Sequence, residues 1–145
     1  MSRDLFIDIF GSVYEHSRWI AEQVFDSGLT SLSDESSTLF AAMSEVVDQA
    51  GQDAQLELLR NHPDLAGKLA VSGKLTAASA SEQAGAGLDR CTDAEFDEFT
   101  KLNNHYQQRF GFPFIVAVRG LDKERILEQF RHRVQNDWET EFDCA

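Results

Sequence analysis

The chain has 145 residues and a formal net charge of −12, from 13 basic and 25 acidic side chains. That length suits one domain with one core, and 42% apolar residues with 11 phenylalanines suffice to build it, which excludes wholesale disorder. The acidic balance repels phosphate backbones and anionic lipid, no run approaches the roughly 18 apolar residues of a membrane span, and the opening Met1-Ser2-Arg3-Asp4 is not a secretory signal.

The periodicity is helical almost throughout. Leu5, Phe6, Ile9, Phe10 and Val13 form a first apolar stripe, and Trp19, Ile20 and Val24 follow on a second. Ser33 is placed to cap a helix with the stripe Leu39, Phe40, Met43, Val46, Val47 and Ala50, closed by Gly51. Leu56, Leu58 and Leu59 give a short helix ending at Asn61-His62-Pro63, and Asp64 to Ala70 reads as another with Pro63 at its first position. Ser79 and Glu82 have the spacing of a capping box, as do Thr92 and Glu95. The helix opened by Thr92 buries Phe96, Phe99, Leu102, Tyr106 and Phe110 and stops at Gly111. Phe112 to Val118 has no helical period: Pro113 pushes Phe112 out of the α region, and the rest is β-branched, aromatic or small. A last helix from about Lys123 aligns Leu127, Phe130, Val134 and Trp138. The class is all-α, a compact bundle of about eight helices with one short extended segment near residues 112–118. With no low-complexity linker and no internal repeat, residues 1–145 read as a single domain.

A lone extended segment raises the question of where its buried N–H and C=O groups are satisfied. Neighbouring side chains are one route, and a planar, amide-rich ligand is the other; a plain core-crossing connector answers the pattern equally well. His16, His105 and His132 read as exposed or boundary residues. His62 differs because Pro63 forces it extended and fixes its ring position, and an imidazole exchanges protons near neutrality. On its own it reads more readily as a residue at a helix start. Ser79, Glu82 and Gln83 either close a helix start or converge on a ligand from its first turn, where free N–H groups suit a carboxylate. No metal spacing, nucleophile elbow or nucleotide loop is present, so no metal or cofactor is expected. Cys91 and Cys144 stand in no redox spacing, which fits reduced thiols in a cytoplasmic protein.

"NHPDLAGKLA", "LTAASASEQAGAGLD" and "LNNHYQQRFGFPFIVAVRG" resemble, in order and in spacing, the three signature blocks of the 2-oxo-4-hydroxy-4-carboxy-5-ureidoimidazoline (OHCU) decarboxylases of urate degradation. The resemblance covers nearly the whole chain. It implies an all-α, cofactor-free lyase that converts OHCU to (S)-allantoin, the third step from urate. It implies His62 and Glu82 as the catalytic pair, and Pro63, Ser79 and Gln83 as lining the substrate site. Main-chain contacts are implied from Phe114, Ile115, Val116, Ala117 and Val118, and Arg119 is placed to meet a carboxylate or to make a structural ion pair. Such relatives continue past a segment like Asn136 to Glu141 into a helix with a basic, leucine-rich end, from which a basic residue is implied to reach the substrate. This chain stops at Cys144-Ala145, so it is expected to lack that helix end. The expected partner is the small-molecule substrate, with neither nucleic acid nor membrane, and the apolar faces permit a homodimer. The rival expectation is a non-catalytic acidic helical interaction module in which His62 and Glu82 are caps.

Overall fold

Residues 1–28, 35–66 and 77–145 are described by the computed structural model, and among them are eight α-helices, one 3-10 turn and no β-strand. The all-α expectation holds. The chain forms two compact units, Met1–Asn61 and His62–Ala145.

In the first unit, Ser2 caps α1 (Arg3–Phe10), its hydroxyl accepting from the Leu5 N–H at 3.4 Å. Helices α2 (Trp19–Asp26), α3 (Ser36–Gln49) and α4 (Gln52–Arg60) follow. Phe6, Ile7, Ile20, Ala21, Val24 and Met43 form the buried core, with Phe10, Trp19, Phe25, Leu39 and Leu58 among those packed around it. The stripe expected on α1 is corrected. Phe6, Ile7 and Phe10 face inward at helical spacing, whereas Leu5, Ile9 and Val13 are 51%, 49% and 60% exposed. Phe40 is likewise 68% exposed beside the buried Met43. The expected cap Ser33 lies outside the described residues.

The second unit holds α5 (Ala77–Gly85), the 3-10 turn Leu88–Arg90, α6 (Asp93–Phe110), α7 (Lys123–Arg133) and α8 (Trp138–Cys144). Thr92 and Glu95 make the expected capping box, and Gly111 ends α6 at φ +81°, a left-handed conformation natural to glycine. Asp64, Leu65 and Ala66 are not helical, contrary to expectation: Leu65 and Ala66 form a turn, with Ala66 at φ +48°. The rest of that expected helix, residues 67–70, lies outside the described residues. The last helix is also corrected. It stops at Arg133, and Trp138 begins a separate helix because the Asp137 side chain caps it, accepting from the Thr140 N–H at 2.8 Å.

Tyr106, fully buried, sits at the centre of an aromatic core with Phe110, Phe112, Phe114 and Phe130 around it. Phe114 stacks on Phe130 with ring centroids 3.9 Å apart and planes at 12°. Burial of each such ring contributes roughly 1.5–3 kcal/mol. Phe114 thereby locks the middle of the extended segment, which has no regular structure from Pro113 to Val118.

The polar counterpart of that lock is Glu141, a carboxylate with no solvent exposure. Arg133 binds it through Nη2 at 2.8 Å and Nε at 3.0 Å, Asn136 donates to it at 2.7 Å, and the Tyr106 hydroxyl donates as well. Burial pushes the Glu141 carboxyl upward, and the bonds from Arg133, Tyr106 and Asn136 more than reverse this, leaving it below its ordinary value. Burial and the adjacent Glu141 drive the Tyr106 hydroxyl well above its usual range, so it stays a donor. Arg133 also lies over the Phe114 ring at 4.6 Å and donates to the Ile115 carbonyl at 2.8 Å. One guanidinium thus ties the extended segment to α7 and α8.

Candidate active site

His62 is exposed, and its Nδ1 lies 3.1 Å from the Pro63 carbonyl. A carbonyl only accepts, so this contact selects the ring form with Nδ1–H and leaves Nε2 as the outward nitrogen. Pro63 itself is buried. The loop that follows is gripped by three side-chain amides. Gln83 Oε1 accepts from the Ala66 N–H at 3.0 Å, and Gln83 Nε2 donates to the Asp64 carbonyl at 3.3 Å. Asn103 donates to the Leu65 carbonyl at 2.9 Å, and Gln107 to the Asp64 carboxylate at 2.8 Å. Burial pushes the Asp64 carboxyl up, against the opposing pull of the Gln107 bond and the His62 charge.

The capping-box reading of Ser79 and Glu82 is corrected. Helix α5 is described from Ala77, so Ser79 is already inside it, and Glu82 and Gln83 lie beyond its first described turn. The alanine-rich start carries the helix back past Ser79. Glu82 is exposed, Ser79 half-buried and Gln83 only 6% exposed. Among the described residues nothing pairs with the Glu82 carboxylate. Gln83, its neighbour, holds the His62 loop directly, so α5 and that loop are hydrogen-bonded together.

Phe114 and Val118 point into the core, Ile115 and Val116 are half-buried, and Ala117 and Arg119 are exposed. The Ile115 and Val118 carbonyls are taken, by Arg133 and by the Leu121 N–H. Among the described residues, no main-chain N–H from Phe114 to Val118 donates a hydrogen bond, and Arg119 makes no ion pair. This segment is joined to the His62 loop through α6, which carries both Asn103 and Gln107. An open cleft of about 450 Å³, lined by Gly85, Ala86, Gly87, Leu121 and Lys123, contains none of the expected site residues.

Sequence reasoning missed Asn103, Gln107, Arg133 and Glu141. A signal existed for Asn103: it lies in phase with Phe99, Tyr106 and Phe110, a polar residue on the apolar stripe. It is 5% exposed, and among the described residues its Oδ1 has no hydrogen-bond partner. A buried acceptor left unpaired costs about 1–3 kcal/mol.

The OHCU decarboxylase family profile matches residues 1–145. The chain belongs to the OHCU decarboxylase family. It is 41% identical to the 2-oxo-4-hydroxy-4-carboxy-5-ureidoimidazoline decarboxylase of Haloferax volcanii over 142 residues, 98% of this chain and 80% of that one. It is 40% identical to the uric acid degradation bifunctional protein of Bacillus subtilis, spanning 28% of that longer protein. Among solved structures, an (S)-allantoin synthase superposes with a TM-score of 0.75 at 34% identity, over 99% of this chain and 45% of that one. An OHCU decarboxylase crystallised in the presence of (S)-allantoin, 18% identical, shares the fold with a TM-score of 0.67.

Proposed function

We propose that this family member decarboxylates OHCU to (S)-allantoin, with His62 and Glu82 as the catalytic pair. The observation that carries this reading is His62: an exposed imidazole whose Nδ1 is engaged by the Pro63 carbonyl, on a loop bonded to the helix that bears Glu82. OHCU holds its carboxylate on a carbon next to a ring C=N. Breaking the C–C bond sends its electron pair into that imine, so the substrate is its own electron sink and the reaction needs no organic cofactor. The protein must turn the carboxylate out of the ring plane, where the breaking bond overlaps the π system. Nε2 of His62 is the group to take the 4-hydroxyl proton or relay one to a single face of the enol-like intermediate. Because Pro63 already sets the tautomer, Glu82, unpaired among the described residues, is placed to bond the substrate. The N–H groups of Phe114 to Val118, undonated among the described residues, suit the substrate's carbonyl oxygens, and Arg119 suits its carboxylate. Pro63 and Ser79 complete the wall, and Gln83 supports it through the loop. Acid–base assistance of this kind is worth about a hundred to ten-thousandfold, with positioning adding to it.

No helix among the described residues is long and apolar enough to cross a membrane. We read the chain as cytoplasmic and acting without nucleic acid or membrane partners, which its charge of −12 favours. The exposed Leu5, Ile9 and Val13 would be covered in a homodimer, which sedimentation velocity tests.

The reaction is tested by making OHCU in situ from urate with urate oxidase and hydroxyisourate hydrolase, then following circular dichroism. The protein should speed the decay and yield one hand of allantoin, and His62→Asn should abolish that signal with helicity intact. Racemic product at the uncatalysed rate would refute the assignment.

A further inference from the structure

We propose that Asn103 and Gln107 are positioning residues for this reaction, acting on His62 through the main chain and side chain of Asp64 and Leu65. The inference rests on the His62 assignment above. Neither residue is expected to touch substrate. They lie four positions apart, on one face of an 18-residue helix closed by a capping box at one end and Gly111 at the other. From that rigid edge Asn103 grips the Leu65 carbonyl and Gln107 the Asp64 carboxylate, while Gln83 holds Asp64 and Ala66 from α5. The loop therefore has three amide anchors within three residues, Asp64 to Ala66, the first of them two positions after His62. Such grip matches its backbone, since Ala66 sits at φ +48°, a conformation that L residues with a side chain rarely adopt unaided. Asn103 supplies the second argument. Its buried Oδ1 is unpartnered among the described residues, so the one bond this amide makes there is its grip on the Leu65 carbonyl. What it secures is the register of the loop, and with it the placement of the imidazole.

The test compares wild type with Gln107→Ala, Gln107→Lys and Asn103→Leu in the coupled dichroism assay, at a temperature well below each melting point. Gln107 is exposed, so its variants should fold. Gln107→Ala should lower kcat by about tenfold to a hundredfold, the cost of misplacing a catalytic group by an ångström or so, with KM unchanged. Gln107→Lys, which restores a donor to Asp64, should recover most of that loss. Asn103→Leu, which leaves the Leu65 carbonyl without its donor, should lose kcat at temperatures where its dichroism shows the helices intact. Wild-type kcat in Gln107→Ala, or no recovery in Gln107→Lys, would overturn the proposal. An activity-independent readout is the carbon-labelled His62 ring: one sharp resonance in wild type, broadened or shifted in Gln107→Ala. An unchanged ring resonance would overturn the proposal even if wild type proved inactive, an outcome that by itself would count against the reaction and not against the grip.

Discussion

Replacing Glu141 by alanine removes the acceptor of four buried donors at once: Arg133 Nε and Nη2, Asn136 Nδ2 and the Tyr106 hydroxyl. Arg133, whose side chain is 15% exposed, is left as a buried cation with the Ile115 carbonyl and the Phe114 ring as its company. Breaking such a buried pair from one side costs about 3–5 kcal/mol. For a chain of this size that is a fall in melting temperature of roughly 10–20 °C. Glu141→Gln keeps the shape and some of the bonding and should fall by less. The paired variant Arg133→Met with Glu141→Leu, which removes both charges, should be more stable than Glu141→Ala alone. Acid supplies a second check. Glu141 titrates below its ordinary 4.5 in the folded chain, so its contribution is complete above about pH 4.5 and fades as pH falls through the folded value. The gap between wild type and Glu141→Gln should therefore narrow in acid. Thermal melts by far-UV dichroism across that range measure all of this. A Glu141→Ala melt within a few degrees of wild type, or a Gln variant whose deficit ignores pH, would refute the reasoning.

Three further outcomes are expected. Lys123, 2.7 Å from Glu95, together with the Thr92 N–H holds that carboxyl down to about 2; in Lys123→Met its NMR titration midpoint should climb toward the ordinary 4.5. Because the folded value is depressed, the stabilisation from this pair is present above about pH 4.5 and disappears as pH falls through about 2, where the two proteins' melts should converge. Gly111→Ala places a side chain at φ +81° and should cost about 1–2 kcal/mol in a urea melt. Arg119→Gln should raise KM for the anionic substrate roughly tenfold, as loss of one charged hydrogen bond would, with the melting temperature nearly unchanged.

What the sequence made legible was local chemistry. Thr92 and Glu95 name a helix start by their own bonding, Gly111 names its end, and Pro113 with its β-branched followers names a stretch that is not helical. Ser79 and Glu82 share the first pattern, but the alanines ahead of them extend α5 past the expected boundary. Trp138 continues the apolar phase of α7, which concealed the break that the Asp137 cap makes before it. His62 stood out because its neighbour is a proline; the amides that hold it did not, since Asn103 meets Leu65 across 38 positions and Gln107 meets Asp64 across 43. Arg133 and Glu141, eight positions apart on two separate helices, have no periodic relation that would reveal a buried pair. Along the extended segment the sequence posed the question of main-chain satisfaction, and Arg133 answers it at Ile115.

The chain's two tryptophans fall one to each unit. Trp19 packs on the core of Met1–Asn61, while Trp138 donates to the Phe110 carbonyl and stacks on Phe142 in His62–Ala145. Nature has thereby built in a pair of fluorescent reporters with separate addresses. Swapping either indole for phenylalanine leaves a single emitter, and its colour during denaturation tells whether the half that carries the imidazole loosens together with the other half or ahead of it.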